Sequence, residues 1–121
     1  MAGTDHRLAG ERAILVKACL NGSRRRDEHA AVPVTPAELA REARGAAMAG
    51  ARAFHIHPRD PSGGETLEPD ACAAAIEAVR AVCPGLPVGV STGAWIAGGG
   101  ERERLVEIGR ASCRERVFIT V

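Results

Sequence analysis

Ala46-Ala47-Met48-Ala49-Gly50-Ala51-Arg52-Ala53-Phe54-His55-Ile56-His57-Pro58 passes from helix to strand to loop with almost nothing between them. Gly50 is the residue type that ends a helix, because it tolerates the left-handed conformation of a C-terminal cap. Ala51 to His57 then follows at once as a run of strand length. Within it Phe54 and Ile56 alternate with His55 and His57, so one face meets a helix layer and the other carries two imidazoles. The turn into the strand is short, whereas its exit opens a long loop, Pro58 to Leu67.

The same grammar extends in both directions. Upstream, Thr35-Pro36-Ala37-Glu38 is a capping box with proline at the first helical position, and it opens a helix through Leu39, Ala43, Ala46 and Ala47. Before it lie a long polar loop, Asn21 to Val34, and an apolar run, Ala13 to Leu20, with the look of a parallel strand buried on both faces. Downstream, Pro69-Asp70 opens a second helix carrying Ile76, Val79 and Val82, stopped by Pro84-Gly85. Leu86 to Val90 reads as a third strand, Ser91 to Gly100 as a glycine-rich loop, and Glu101 as the start of a third, charged helix. The order β-α-β-α-β-α, with short αβ turns and long βα loops, predicts a parallel α/β fold. Functional groups in such folds gather at the carboxyl ends of the strands. Three loops are therefore informative: Asn21 to Val34, His57 to Leu67 and Ser91 to Gly100. No linker divides the chain.

Composition excludes several classes. The chain has 121 residues, 45% of them apolar, which suits one small globular unit. Phe54, Trp95 and Phe118 are its large rings and tyrosine is absent, so the core must be built from Ala, Val, Leu and Ile. A formal charge of +1 argues against a nucleic-acid partner. The basic run Arg24-Arg25-Arg26 is followed at once by Asp27-Glu28, as in a solvated or anion-facing loop. Cys19, Cys72, Cys83 and Cys113 form no C-x-x-C pair and read as small buried hydrophobes. With no apolar stretch suited to a signal peptide or a bilayer span, a cytoplasmic location and no membrane partner are expected.

His55-Ile56-His57 carries the sharpest chemistry. Residues i and i+2 of a strand share a face at roughly 6.6 Å, and two imidazoles so placed can converge on one cation at metal–nitrogen distances near ~2.0 Å. The plainer alternative is a pair of polar strand-end residues bonding to nearby loops. Their place at the carboxyl end of a strand, with Arg59 and Asp60 following, favours the metal. Asn21-Gly22-Ser23-Arg24 offers a tight turn, backbone N–H groups and a guanidinium, which suit a carboxylate or phosphate; an ordinary glycine turn is the alternative. Ser91-Thr92-Gly93 adds two hydroxyls and a backbone that a ligand can approach.

In order along the chain, these residues resemble the β-keto acid cleavage enzymes, which include the 3-keto-5-aminohexanoate cleavage enzymes. The resemblance runs from about Ile14 to Ile108. It rests on Asn21-Gly22, on His29 with Pro33, Thr35 and Pro36, on Ala49-Gly50-Ala51, on His55 to Asp60, and on Ser91-Thr92-Gly93. It implies a zinc-dependent (β/α)₈ TIM barrel that cleaves a β-keto acid with acetyl-CoA, giving acetoacetate and a CoA thioester, and a full-length protein that is a homo-oligomer. His55 and His57 would bind zinc, with Ser91, Thr92 and Gly93 around the substrate carboxylate. Arg24 stands where the best-known members carry a glutamate that recognises an amino-bearing substrate, so a neutral or anionic tail is expected here. Ala30 replaces a common proline, and Ser91 to Ile96 looks like a less studied subgroup.

A closed barrel needs ~250 residues, so residues 1–108 correspond to about three β/α units of a truncated barrel. The family's third zinc ligand, a glutamate, and its catalytic acidic and arginine residues belong to later strands. Glu107 to Val117 looks like the translation of a sequencing-adapter oligonucleotide, which makes 109–121 an expected non-native tail; alternatively, Arg116 to Val121 has the propensity of a fourth strand. Two other functions stay open. One is another metal-dependent barrel hydrolase such as an amidohydrolase, which places its H-x-H on the first strand. The other is a non-enzymatic binding module.

Overall fold

The computed structural model describes residues 13–112 and 117–120. Strands β1 (Lys17–Cys19), β2 (Ala53–Ile56), β3 (Val88–Ser91) and β4 (Val117–Thr120) alternate with helices α1 (Pro36–Met48), α2 (Pro69–Val82) and α3 (Gly99–Ser112). The four strands form one parallel sheet in the order β1-β2-β3-β4, so each new strand joins beside the last with no reversal. The predicted parallel α/β class is what the chain adopts. No helix among the described residues is long and apolar enough to cross a membrane.

Local chemistry sets the helix ends. Thr35 Oγ1 accepts the Glu38 N–H at 3.2 Å and Glu38 Oε1 accepts the Thr35 N–H at 3.1 Å. This reciprocal pair satisfies two donors that a helix start otherwise leaves open. Glu38 also meets Arg26, which ties the first loop to α1. At the other end Gly50 takes φ 116°, and the Ala51 N–H reaches back to Ala46 O at 2.9 Å. That left-handed residue lets the chain turn from α1 into β2 within a few positions.

Register divides the sheet into two faces. Phe54 pairs with Val88 and Ile56 with Val90, and these four side chains pack with Leu39 and Ala43 of α1 and Cys72, Ala75, Ile76 and Val79 of α2. Phe54 and Ile56 therefore face the helix layer, as their alternation predicts. Lys17, Cys19, Ala53, His55, Gly89 and Ser91 occupy the opposite face by the same register.

Four expectations are corrected. The first strand is three residues long, not eight, and is not buried on both faces: Ile14, Leu15 and Val16 are 88%, 67% and 52% exposed. β1 has a single strand neighbour among the described residues, so nothing covers the residues that lead into it. Val82 lies at the rim of α2, 40% exposed, because the helix turns its Ile76–Val79 stripe to the sheet. Helix α3 begins at Gly99, two residues before Glu101. Cys72 and Cys83 are buried, but Cys19 is exposed, since it lies on the sheet face away from the helices. Cys113 lies outside the described residues. Helix α3 runs through Ile108 without a break and β4 pairs with β3 beyond it, while residues 113–116 and 121 are not described.

Candidate metal centre and substrate rim

β2 delivers His55 on its last turn of pleat and His57 one residue past its end. The two rings approach with centroids 5.1 Å apart and planes at 80°. Two imidazoles sharing one tetrahedral ion at ~2.0–2.1 Å would place their ring centres about 5 Å apart, so the pair suits a borderline divalent cation such as zinc. It supplies two donors. No group of three or more His, Cys, Asp or Glu is arranged around a metal position among the described residues. Burial pushes His55 below the ordinary imidazole value, and the neighbouring His57 and Lys17 push it further in the same direction. His55 is thus neutral at pH 7, the form that can ligate.

His57 is clamped by a residue from the first loop. Its N–H donates to Asn21 Oδ1 at 2.9 Å, and its carbonyl accepts from Asn21 Nδ2 at 2.9 Å. The same Nδ2 donates to Pro33 O at 3.1 Å. The buried Asn21 amide thereby extends the β1–β2 ladder by one rung after the β1 backbone has turned away. Gly22 makes that turn at φ 57°. Asn21 therefore serves the framework, where the sequence left an anion-binding turn and an ordinary glycine turn both open.

Arg59 completes the framework. Its Nε donates to His57 O at 3.1 Å, Nη1 to Gly63 O at 3.1 Å, and Nη2 to Gly22 O at 2.7 Å and Arg24 O at 2.8 Å. One planar guanidinium thus joins the first and second loops. The Arg24 side chain is 75% exposed and pairs with Glu28 at 3.4 Å, so it lies at the solvent edge of this loop. His29, also exposed, accepts the Ala31 N–H at 3.1 Å.

Two residues that sequence reasoning did not assign complete the site. His57 Nδ1 contacts Glu65 Oε1, and Glu65 Oε2 accepts Trp95 Nε1–H at 2.8 Å. Burial pulls the Glu65 carboxyl upward, but the contacts from His57, Trp95 and Ser23 outweigh it and leave the group below its ordinary value. An ionised Glu65 can only accept, so the tautomer of a neutral His57 that suits this contact carries its proton on Nδ1. Ser91 and Thr92 are buried, and Thr92 O accepts Arg102 Nε at 2.6 Å. Gly93 lies directly under the Trp95 ring: a Cβ there would stand 2.3 Å from Cη2. The structure thus joins His55, His57 and Ser91 on one face and links Gly93 to His57 through Trp95 and Glu65, with Arg24 at the periphery. A carboxylate in the loop after H-x-H, and a lone tryptophan whose N–H needs an acceptor, are the signals that could have revealed this link.

Residues 13–117 match the family model of the beta-keto acid cleavage enzymes. The chain belongs to the β-keto acid cleavage enzyme family. Among curated proteins, it is 36% identical over 83 residues to a 3-keto-5-aminohexanoate cleavage enzyme of Fusobacterium nucleatum, covering 69% of this chain and 30% of that protein. A 3-oxoadipate:acetyl-CoA acetyltransferase of Cupriavidus necator is 33% identical over 96 residues, covering 78% and 34%. A 3-keto-5-aminohexanoate cleavage enzyme of Acetoanaerobium sticklandii is 30% identical over 95 residues, again covering 78% and 34%. The chain spans about a third of the length of these β-keto acid cleavage family relatives.

Proposed function

We propose that these residues form the first β/α units of a (β/α)₈ barrel, and that the full-length protein exchanges acyl groups between a β-keto acid and acetyl-CoA. In that exchange R–CO–CH₂–COO⁻ and acetyl-CoA give R–CO–S-CoA and acetoacetate, with every atom conserved. The observation that carries the reading is the His55–His57 pair, 5.1 Å apart at the carboxyl end of β2, with Ser91 at the same end of β3. Strand order supports the barrel, since a wall that closes on itself adds strands in chain order, whereas a doubly wound sheet reverses. The relatives' names support the reaction class.

His55 and His57 hold the zinc, and the third protein donor comes from outside the described residues. When bound, zinc supplies Lewis acidity toward a keto oxygen. Ser91 and Thr92 offer hydroxyls, and Gly93 a backbone N–H, to the substrate carboxylate. Asn21 and Arg59 fix the strand end so that these groups keep their spacing, which is where much of the gain from orientation arises. Catalytic acid, base and further arginine groups belong to the remaining two thirds of the protein.

Arg24, exposed on the first loop, selects the substrate tail from the rim. It favours a neutral or anionic tail, because a cationic one meets like charge. Full-length protein should therefore form a thioester faster from 3-oxoadipate than from 3-keto-5-aminohexanoate, and Arg24→Glu should shift the kcat/KM ratio toward the amino-bearing acid by about tenfold, equivalent to ~1.4 kcal/mol. An unchanged ranking in the variant would place Arg24 outside the substrate's reach.

A further inference from the structure

We propose that Glu65 is a positioning residue for the metal, fixing His57 through Nδ1, and that Trp95, seated on Gly93, holds Glu65 in place. The inference rests on His55 and His57 being metal donors. A neutral imidazole has one N–H and one lone pair, and the group bonded to the first decides where the second points. Glu65 engages Nδ1, so the neutral, ligating form of His57 presents its lone pair at Nε2. A carboxylate behind a ligating imidazole sets its tautomer, stops its rotation and raises its basicity.

Glu65 is itself held at both oxygens. Oε1 meets His57 and Oε2 accepts Trp95 Nε1–H at 2.8 Å, so the carboxylate plane cannot swing without losing one directed bond. Indole N–H is a donor only, so its pairing with a carboxylate is one-way. Trp95 is 67% exposed and so is not fixed by burial. What locates it is the Glu65 bond at one end and the bare Gly93 Cα under its ring, where a Cβ would stand 2.3 to 2.5 Å from three ring carbons. Gly93 has a second role here: beside offering its backbone to the substrate, it makes room for the indole. The loop after β3 and the imidazole after β2 are thus joined through Gly93, Trp95, Glu65 and His57.

The test is the zinc dissociation constant of the full-length protein, measured by competition with a chromogenic chelator, together with the His57 tautomer read from ¹⁵N imidazole shifts. Glu65→Leu should weaken zinc by about 10–100-fold and turn a single His57 tautomer into a mixture. Glu65→Gln keeps a carbonyl acceptor and should recover most of both. Trp95→Phe, at an exposed position, should preserve the fold and give a smaller loss in the same direction. It keeps the inference testable if the leucine variant does not fold. If His57→Ala retains parental affinity, the metal reading itself fails. If His57→Ala loses zinc while Glu65→Leu or, failing that, Trp95→Phe leaves affinity and tautomer unchanged, the positioning role alone is overturned.

Discussion

His57→Ala and His55→Ala in the full-length protein are each expected to lower zinc affinity by more than about 100-fold, beyond the ~10–100-fold that loss of a supporting partner produces. Each substitution removes one of the two imidazoles that stand 5.1 Å apart at the end of β2. Catalytic zinc sites use three protein donors and an open position, so the loss of one leaves too few for tight binding. Metal analysis after dialysis reads the effect, and full occupancy in the double variant would contradict it. The pH dependence has a definite sign. His55 is held below its ordinary value of 6.5, chiefly by burial, so protons compete with the metal for this ligand only below that value. An unfolded chain takes up this proton before the folded one does. The stability that His55 contributes is therefore complete above 6.5 and is lost as the pH falls from there through its lowered folded value.

The 121-residue chain on its own is expected to associate, melt without a sharp transition and turn over no substrate. One edge of β1 has no strand neighbour among the described residues and leaves backbone donors and acceptors ready to pair with another copy. Beside it Ile14, Leu15 and Val16 stand in water, as do Met48 at 81% and Val82 at 40%. Several hundred Å² of uncovered apolar surface at ~25 cal/mol per Å² forfeits roughly several kcal/mol, against a total domain stability of about 5–15 kcal/mol. Zinc cannot make up the difference with two donors. Size-exclusion chromatography and a thermal melt check this, and a soluble monomer with a cooperative transition would refute it.

Where physics is local, the sequence was legible. The Thr35–Glu38 capping box, the Gly50 turn and the alternation of Phe54 and Ile56 with the histidines each depend on neighbours a few residues away, and each stands as read. The length of β1 was not legible, because burial on two faces needs partners that an apolar run cannot name. Asn21 looked like part of a glycine turn, anion-binding or ordinary; its side chain turns inward because the backbone of β1 gives out one rung before His57 needs a partner. Glu65 and Trp95 meet across 30 positions, and only the parallel stacking of β2 and β3 brings their loops together. The sequence pointed to His55 and His57 as a pair, but Gly93 as the floor under an indole is visible in three dimensions alone.

The most direct test of the proposed exchange is to give the zinc-loaded full-length protein 3-oxoadipate and acetyl-CoA carrying ¹³C in both acetyl carbons, and to follow the products by mass spectrometry. The exchange predicts acetoacetate bearing both labelled carbons and a new, unlabelled CoA thioester in equal amount, with both lost when zinc is removed by chelation and restored when it is returned. Hydrolysis of acetyl-CoA to labelled acetate with no new thioester, or the same product yield without zinc, would contradict it.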